Sequence, residues 1–306
     1  MTLARRAATV SSVRAFFEAR GFLEVETPIA VPSPGLDVHL SAFEVRVRDG
    51  QPARYLSTSP EYQMKRLLAR GAGYERLFQI TKAFRQDEQG ERHSPEFTML
   101  EWYRAPAEVE HVMRDTEQLV ARATGGTVTL GARRIDTRPP FRRITVADAF
   151  QSFADVTPDE TFAMAEHDED RFFRLLVDRI EPAIEALHHA LFLTEYPASQ
   201  ASLARKKPGD SRVAERFELY VAGVELCNGF GELTDPTEQR ARFVADQATR
   251  RERGLPVYPL DERFLAALEH GLPPCAGNAL GVDRLVALAC GTRDISEIIA
   301  FTADDL

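Results

Sequence analysis

Four clusters in this chain have residue types and spacings that suit chemistry on phosphate or amine groups. The first is Phe84-Arg85-Gln86-Asp87-Glu88, a polar stretch, then His93-Ser94-Pro95-Glu96-Phe97. An arginine at a strand end presents a rigid fork that fits a phosphate. Asp87 could accept a hydrogen bond from an amino-purine, and Phe97 could stack on a base; the same residues would also serve as a charged hairpin loop. The second is Glu225-Leu226-Cys227-Asn228-Gly229-Phe230-Gly231-Glu232. Its two carboxylates could share Mg²⁺ ions that bridge ATP phosphates, or simply flank a turn in solvent. The third, Gly277-Asn278-Ala279-Leu280-Gly281-Val282-Asp283-Arg284, is glycine-punctuated, so a ligand can approach the backbone. Arg284, at the start of a helix, could meet a phosphate, lie on an adenine, or sit on the surface. The fourth is Glu96 to Tyr103, where strand alternation puts Phe97, Met99, Glu101 and Tyr103 on one face. A carboxylate and a phenol in an apolar row need a partner, either a ligand ammonium or an internal arginine. Glu61 could take a second ammonium or pair with Lys65 one helical turn on.

These residues need a frame. Val10, Val13 and Phe17 recur at helical spacing over 4–20, with Gly21 as a stop. Phe22 to Thr27 alternates like a strand and ends at Pro28; residues 40–48 alternate again before an Asp49-Gly50 turn. Ser59 suits an N-cap and Pro60 a first helical turn, with Met64, Leu67 and Leu68 as the buried stripe. Strands are expected at 77–84 and 96–104 around a polar loop, and a helix at 105–124. Signals weaken over 125–190, where helices are expected at 160–166 and 169–190. Strands return at 191–196 and 213–233, turning at Ala222-Gly223. Asp235-Pro236-Thr237-Glu238 reads as a capping-box start. A short helix at 261–270, a strand at 277–282 and a helix at 283–290 follow.

Composition bounds the rest. The 306 residues are 44% hydrophobic and 28% charged, the balance of a globular protein able to bury a sizeable core. No apolar run is long enough to span a membrane, and the opening residues do not read as a signal peptide. Three cysteines without CxxC spacing argue against a disulfide framework or zinc finger and fit a reducing cytoplasm. A net charge of −9 disfavours a general nucleic-acid coat. Only four of the 38 basic residues are lysines, namely Lys65, Lys82, Lys206 and Lys207.

Taken in order, the clusters resemble the catalytic core of class II aminoacyl-tRNA synthetases. The opening helix and strand ending at Thr27-Pro28 look like motif 1, Phe84 to Phe97 like motif 2, and Gly277 to Arg284 like motif 3. Arg20-Gly21-Phe22-Leu23-Glu24-Val25-Glu26-Thr27-Pro28 and Glu225 to Phe230 are similar to lysyl-tRNA synthetase. Ser57 to Tyr62, Pro95 to Tyr103, Pro197 to Leu203 and Ala279 to Arg284 look like the free-standing lysyl-tRNA synthetase paralogues that join (R)-β-lysine to elongation factor P.

The resemblance implies an α+β fold, a mainly antiparallel sheet flanked by helices. It implies one catalytic domain over 1–306 with a variable helical segment near 125–190. Motif 1 begins too early to leave room for an anticodon-binding domain. The implied activity is ATP- and Mg²⁺-dependent activation of (R)-β-lysine and its transfer to a lysine of elongation factor P, by a cytoplasmic homodimer without tRNA. A tRNA-charging enzyme, another free-standing ligase and a non-catalytic paralogue are the alternatives. The resemblance assigns Arg85 to the α-phosphate, Asp87 to adenine, and Phe97 and Arg284 to the two sides of the base. Gln86, Ser94, Leu226 and Gly281 complete the ATP site. Glu225 and Glu232 bind Mg²⁺ or the substrate amines, and Ser59, Pro60, Glu61, Glu101, Tyr103 and Ala279 line the amino-acid pocket. Asp87 departs from a usual Glu, Ser94 from a frequent Asn, and Ala279 from the Gly of lysyl-tRNA synthetase.

Overall fold

The computed structural model describes residues 2–48, 50–302 and 305; Asp49, of the expected Asp49-Gly50 turn, lies outside them. An eight-stranded sheet organises the molecule. Its strands in chain order are β1 (Leu23–Glu24), β2 (Arg76–Phe84), β3 (Glu96–Arg104), β4 (Arg142–Thr145), β5 (Leu191–Thr194), β6 (Arg216–Val221), β7 (Val224–Gly231) and β8 (Ala276–Gly281). In space they run β1-β2-β3-β8-β7-β6-β5-β4. The six inner strands pair antiparallel, and β1 and β4 each join an edge in parallel. This is the mainly antiparallel α+β architecture expected.

The pleat sorts side chains by face. On β3, Leu100 and Trp102 enter the large core with Phe78 of β2. Phe17 stacks on Phe78 at 5.0 Å and tilts against Trp102 at 5.2 Å. Helices Thr2–Glu18, Val109–Thr124 and Val282–Cys290 cover this side. The alternate residues Met99, Glu101 and Tyr103 point to the other face. There, helices Glu61–Leu68, Pro236–Glu252 and Glu262–Gly271 form a second core around Tyr62, Met64, Leu77, Phe243 and Phe264. Asp283 ties the layers together: its carboxylate accepts the Thr98 N–H at 2.8 Å and pairs with Arg6 at 2.6 Å. The first helix, β3 and the last long helix are thus locked in one register, with Arg284 held next to the lock.

Two local expectations are refined. Ala222 and Gly223 take φ of 55° and 74°, making the two-residue hairpin between β6 and β7. The stretch before it, Asp210–Ala214, leaves the sheet and pairs with Lys206–Lys207 in a separate ribbon. Asp235 caps its helix by accepting from the N–H groups of Thr237 and Glu238. The Glu238 carboxylate turns to Arg242 at 2.7 Å and not back to the cap.

Segment 125–190 holds more than helices. Thr127–Leu130 and Arg133–Asp136 form a hairpin, and β4 closes the sheet edge. Helices Val146–Ala154, Pro158–His167 and Glu169–Leu175, a π turn and a final helix at Glu181–Glu185 pack around Phe150, Phe172 and Leu193. The strand was illegible because Arg142-Arg143-Ile144-Thr145 lacks alternation and is short, as edge strands often are. Among the described residues, no helix is long and apolar enough to cross a membrane.

Close packing across β6 and β7 is testable at Gly229, where an added Cβ would stand 2.4 Å from the Phe217 ring. Gly229→Ala is expected to lower the unfolding free energy in urea by about 1–3 kcal/mol with an unchanged slope. A loss below about 0.5 kcal/mol would mean that the ring has room to move.

Candidate active site

The site lies on the polar face of the sheet, and its register builds it. Glu101 of β3 sits between Gln79 of β2 and Ala279 of β8. Ala279 in turn pairs with Asn228 of β7. Residues opposite each other in a ladder share a face, so Glu101, Ala279 and Asn228 form one row across three strands. Tyr103, two residues along from Glu101, donates its hydroxyl to Glu101 Oε1 at 2.5 Å. It lies against Gly277: a Cβ there would be 2.2 Å from the Tyr103 ring and 2.7 Å from Glu232 Oε1. Only a glycine lets the phenol and the Glu232 carboxylate converge on this point.

Glu61 enters from the side. Ser59 accepts the Glu61 N–H at 3.3 Å and Pro60 starts the helix, so Glu61 stands in its first turn. Lys65, one turn later, is completely buried and reaches Glu61 at 2.6 Å and Glu232 at 2.5 Å. Both readings of Glu61 therefore meet here: it pairs with Lys65 and it faces the pocket. Lys65 thus pairs with two carboxylates, Glu61 and Glu232, and Glu101 lies near enough to feel the charge of all three. Burial pushes the Glu101 carboxyl well above the usual range, and the charges of Glu61 and Glu232 add to this. Burial likewise raises Glu232, to about 7, with Glu61 opposing its ionisation and Lys65 favouring it. Glu101 Oε2 and Glu232 Oε1 are buried without a hydrogen-bond partner. Unpaired buried carboxylate oxygens call for a cation.

A second, more open cleft adjoins this pocket. It is lined by Arg85, Glu88, Ser94, Phe97, Glu225, Leu226, Asn228, Ala279, Gly281 and Arg284, among others. Ala279 belongs to both, so it marks the seam between them. The Arg85 guanidinium lies 5.1 Å from the centre of the Phe97 ring. Arg284 donates to the Glu225 carbonyl at 2.8 Å and to His93 Nε2 at 2.7 Å. Because arginine can only donate, Nε2 accepts and the imidazole is neutral; burial and Arg284 both lower the His93 pKa. Arg284 thus spans the cleft mouth from the last helix to the hairpin loop.

A β-bulge places Glu225. Leu219 pairs with Cys227 but Tyr220 pairs with Glu225, which leaves Leu226 as the extra residue. Simple alternation would put Glu225 and Asn228 on opposite faces; the bulge turns both toward the cleft. Glu225 keeps 40% of its side-chain surface open there and lies 3.6 Å from Arg284. Its surroundings raise the carboxyl to about 7, burial first and the neighbouring Glu218 second.

Most expected residues are brought together, and three are not. Glu225 and Glu232 are not brought together. Seven residues of strand separate them by roughly 20 Å, and Glu232 is bound to Lys65 in the amine pocket. The carboxylate that faces Glu225 is Glu218, across the hairpin, which the sequence reading passed over; its oxygens take Arg216 at 2.5 Å, Tyr196 at 2.5 Å and Tyr220 at 2.8 Å. Asp87 and Gln86 are exposed and do not line the cleft. Gln86 is tied by its backbone N–H to the Ser41 carbonyl, and Glu88, one residue beyond Asp87, turns inward to pair with Arg85 at 2.9 Å. Lys65, Gly277 and Asp283 are further residues the site depends on. A signal existed for Lys65, one of only four lysines and one turn from Glu61.

The pocket predicts a split between ligands. Glu101→Gln is expected to raise the amino-acid concentration for half-maximal activation at least about tenfold, because an ion contact is lost, and to change that for ATP less than about twofold. Steady-state kinetics with each substrate varied in turn measures both, and equal effects on the two would remove Glu101 from the amine pocket.

Comparison with known proteins gives the family. The model of the family described as tRNA synthetases class II (D, K and N) matches residues 1–305. The chain is 44% identical to the elongation factor P–(R)-β-lysine ligase of Klebsiella pneumoniae (strain 342), over 99% of this chain and 95% of that protein. It is 43% identical to the protein of the same name from Salmonella gallinarum, with the same coverage. The chain belongs to the class II tRNA synthetase family, on the branch of the elongation factor P–(R)-β-lysine ligases.

Proposed function

We propose that this chain is an ATP-dependent ligase that activates (R)-β-lysine and transfers it to a lysine side chain of elongation factor P. One observation carries the reading: Glu101 Oε2 and Glu232 Oε1 are buried without partners, and Ala279, opposite Glu101 in the sheet, lines an arginine- and phenylalanine-containing cleft. A diamino acid held by its ammonium groups at those oxygens would direct its carboxylate toward a nucleotide in the cleft. The relatives' names supply the amino acid and the acceptor.

The chemistry has two steps. The amino-acid carboxylate attacks the α-phosphorus of ATP, forming the acyl-adenylate and releasing pyrophosphate. Arg85 meets the α-phosphate, while Phe97 and Arg284 hold the base, with Ser94, Leu226 and Gly281 around the nucleotide. The ε-amine of the acceptor lysine then attacks the acyl carbonyl and expels AMP, losing a proton as the amide forms. No enzyme nucleophile is required, and catalysis is positioning and electrostatic stabilisation. Glu101 with Tyr103 and Glu232 hold the ammonium groups, and the methyl of Ala279 limits how the substrate backbone lies between the sites. Asp87 and Gln86 would reach adenine only if the hairpin loop turns.

Mg²⁺, when bound, would neutralise charge on the ATP phosphates. Mg²⁺ takes one or two carboxylates plus phosphate oxygens and water. Glu225 is the fitting ligand: it lines the cleft, and burial and then Glu218 push it toward protonation, which a bound cation would reverse.

The whole chain would act as one catalytic unit in the cytoplasm, as a homodimer. Leu23, on the edge strand β1, and Ile29, just after it, are exposed at 48% and 40%. Sedimentation is expected to show a dimer, and Leu23→Glu to weaken it; a wild-type monomer at micromolar concentration would reject this assembly.

ATP–pyrophosphate exchange with (R)-β-lysine, α-lysine or no amino acid tests the activity. Stronger exchange with (R)-β-lysine, followed by a mass increase on elongation factor P matching one β-lysyl group, is expected. Exchange that favours α-lysine, with label arriving on tRNA, would replace the proposal with a tRNA-charging enzyme.

A further inference from the structure

Lys65 carries a positive charge into the pocket that, in the reading above, receives the substrate's ammonium groups. It is completely buried, and its Nζ takes Glu61 Oε1 at 2.6 Å and Glu232 Oε2 at 2.5 Å. Burial alone would depress its pKa, but Glu232 and Glu61 outweigh that and keep it charged. A fixed cation here competes with the substrate for the same carboxylates, and nothing in the chemistry of adenylation asks for it.

Counting charge supplies a reason. The groups facing one another are Glu61 and Lys65 on their helix, Glu101 and Tyr103 on β3, and Glu232 after β7. The nearest arginine, Arg205, is already matched by Glu215 at 2.6 Å and by Glu108. Three carboxylates against one ammonium leave two negative charges uncompensated. The two oxygens without partners sit on different carboxylates, Glu101 Oε2 and Glu232 Oε1. Without Lys65, a substrate with two ammonium groups would leave one buried carboxylate unpaired, which is costly. With it, one ammonium is too few and two are enough.

We propose that Lys65 is a specificity-determining counter-ion: by neutralising one carboxylate it sets the pocket to accept two substrate ammonium groups. This rests on the proposed function and names how its substrate class is chosen. Lys65 touches the carboxylates, not the reacting atoms, so it positions charge and takes no part in bond making.

The test is a charge series read by equilibrium binding without ATP. Calorimetry compares (R)-β-lysine with 3-aminohexanoic acid, the same chain without its distal amine, on the wild type, on Glu61→Gln and on Lys65→Met combined with Glu61→Gln. Glu61→Gln removes one negative charge, and the preference for the diamine is expected to fall at least about tenfold. Adding Lys65→Met restores the net charge, and the preference is expected to return to within about threefold of the wild type. The double variant replaces both members of an ion pair with neutral groups, the change that buried pairs tolerate best. If it does not fold, Lys65→Gln combined with Glu61→Gln carries the same charge, leaves Glu101 and Glu232 in place, and is read in the same way. ATP binding within about twofold of the wild type shows that the adjoining cleft is intact. A merely structural lysine predicts no rescue, so a double variant no more selective than Glu61→Gln overturns the proposal, as does a wild type without diamine preference. A wild type that prefers the diamine but gives no pyrophosphate exchange would instead sink the proposed function and leave the charge assignment standing.

Discussion

The structure is arranged around the burial of three carboxylates on one face of a β-sheet. Buried carboxylates are tolerable only when each oxygen has a donor or a cation nearby. Glu101 takes the Tyr103 hydroxyl, and Glu61 and Glu232 share Lys65. What these contacts leave over is an affinity for positively charged groups. Everything that fixes the positions of those side chains is therefore part of the specificity: the register that sets Glu101 beside Ala279, the glycine at 277 that lets Tyr103 and Glu232 approach, and the helix turn, with Pro60 and not Ser59 at its N-cap, that presents Glu61.

The nucleotide cleft is built from the same sheet by a different device. A single extra residue in β7 turns Glu225 to the face that also carries Asn228. Arg284 is aimed by its neighbour, because Asp283 is clamped between Arg6 and the Thr98 amide on the core side. One residue of the pair anchors the helix and the next one works in the cleft. The two sites meet at Ala279, which pairs with Glu101 and also lines the cleft. Adjacency on one rigid sheet gives the alignment that a reaction between two bound molecules requires.

Legibility followed the physics of each signal. The β3 strand could be read to the residue, because Glu96 to Arg104 alternates between a core face and a polar face and both faces are buried. The Ala222-Gly223 turn was equally plain, since few dipeptides accept two positive φ values in a row. The motif-like clusters were recognised as a set, although each one separately was also compatible with an ordinary loop or turn. By contrast, β4 and the hairpin at 127–136 are short and weakly patterned, and they exist because the sheet edge and the helix ends provide partners. The pairing of Glu225 with Glu232 misled for a related reason. Sequence distance along a strand is a real distance of several residues' rise, whereas a hairpin sets Glu225 opposite Tyr220, within reach of the Glu218 charge.

By itself, the sequence determined which chemistry was available: arginines for phosphate, an aromatic for a base, carboxylates for amines, and the helices and inner strands that carry them. These follow from residue type and from periodicities of two and 3.6, which are local properties of the chain. Only the tertiary structure decided which carboxylates come together, that Lys65 pairs with Glu61 and Glu232, and that Asp87 faces outward while Glu88 faces in. Those are questions of register, bulge and burial, and they are settled by contacts between segments far apart in sequence, where no local pattern records the answer.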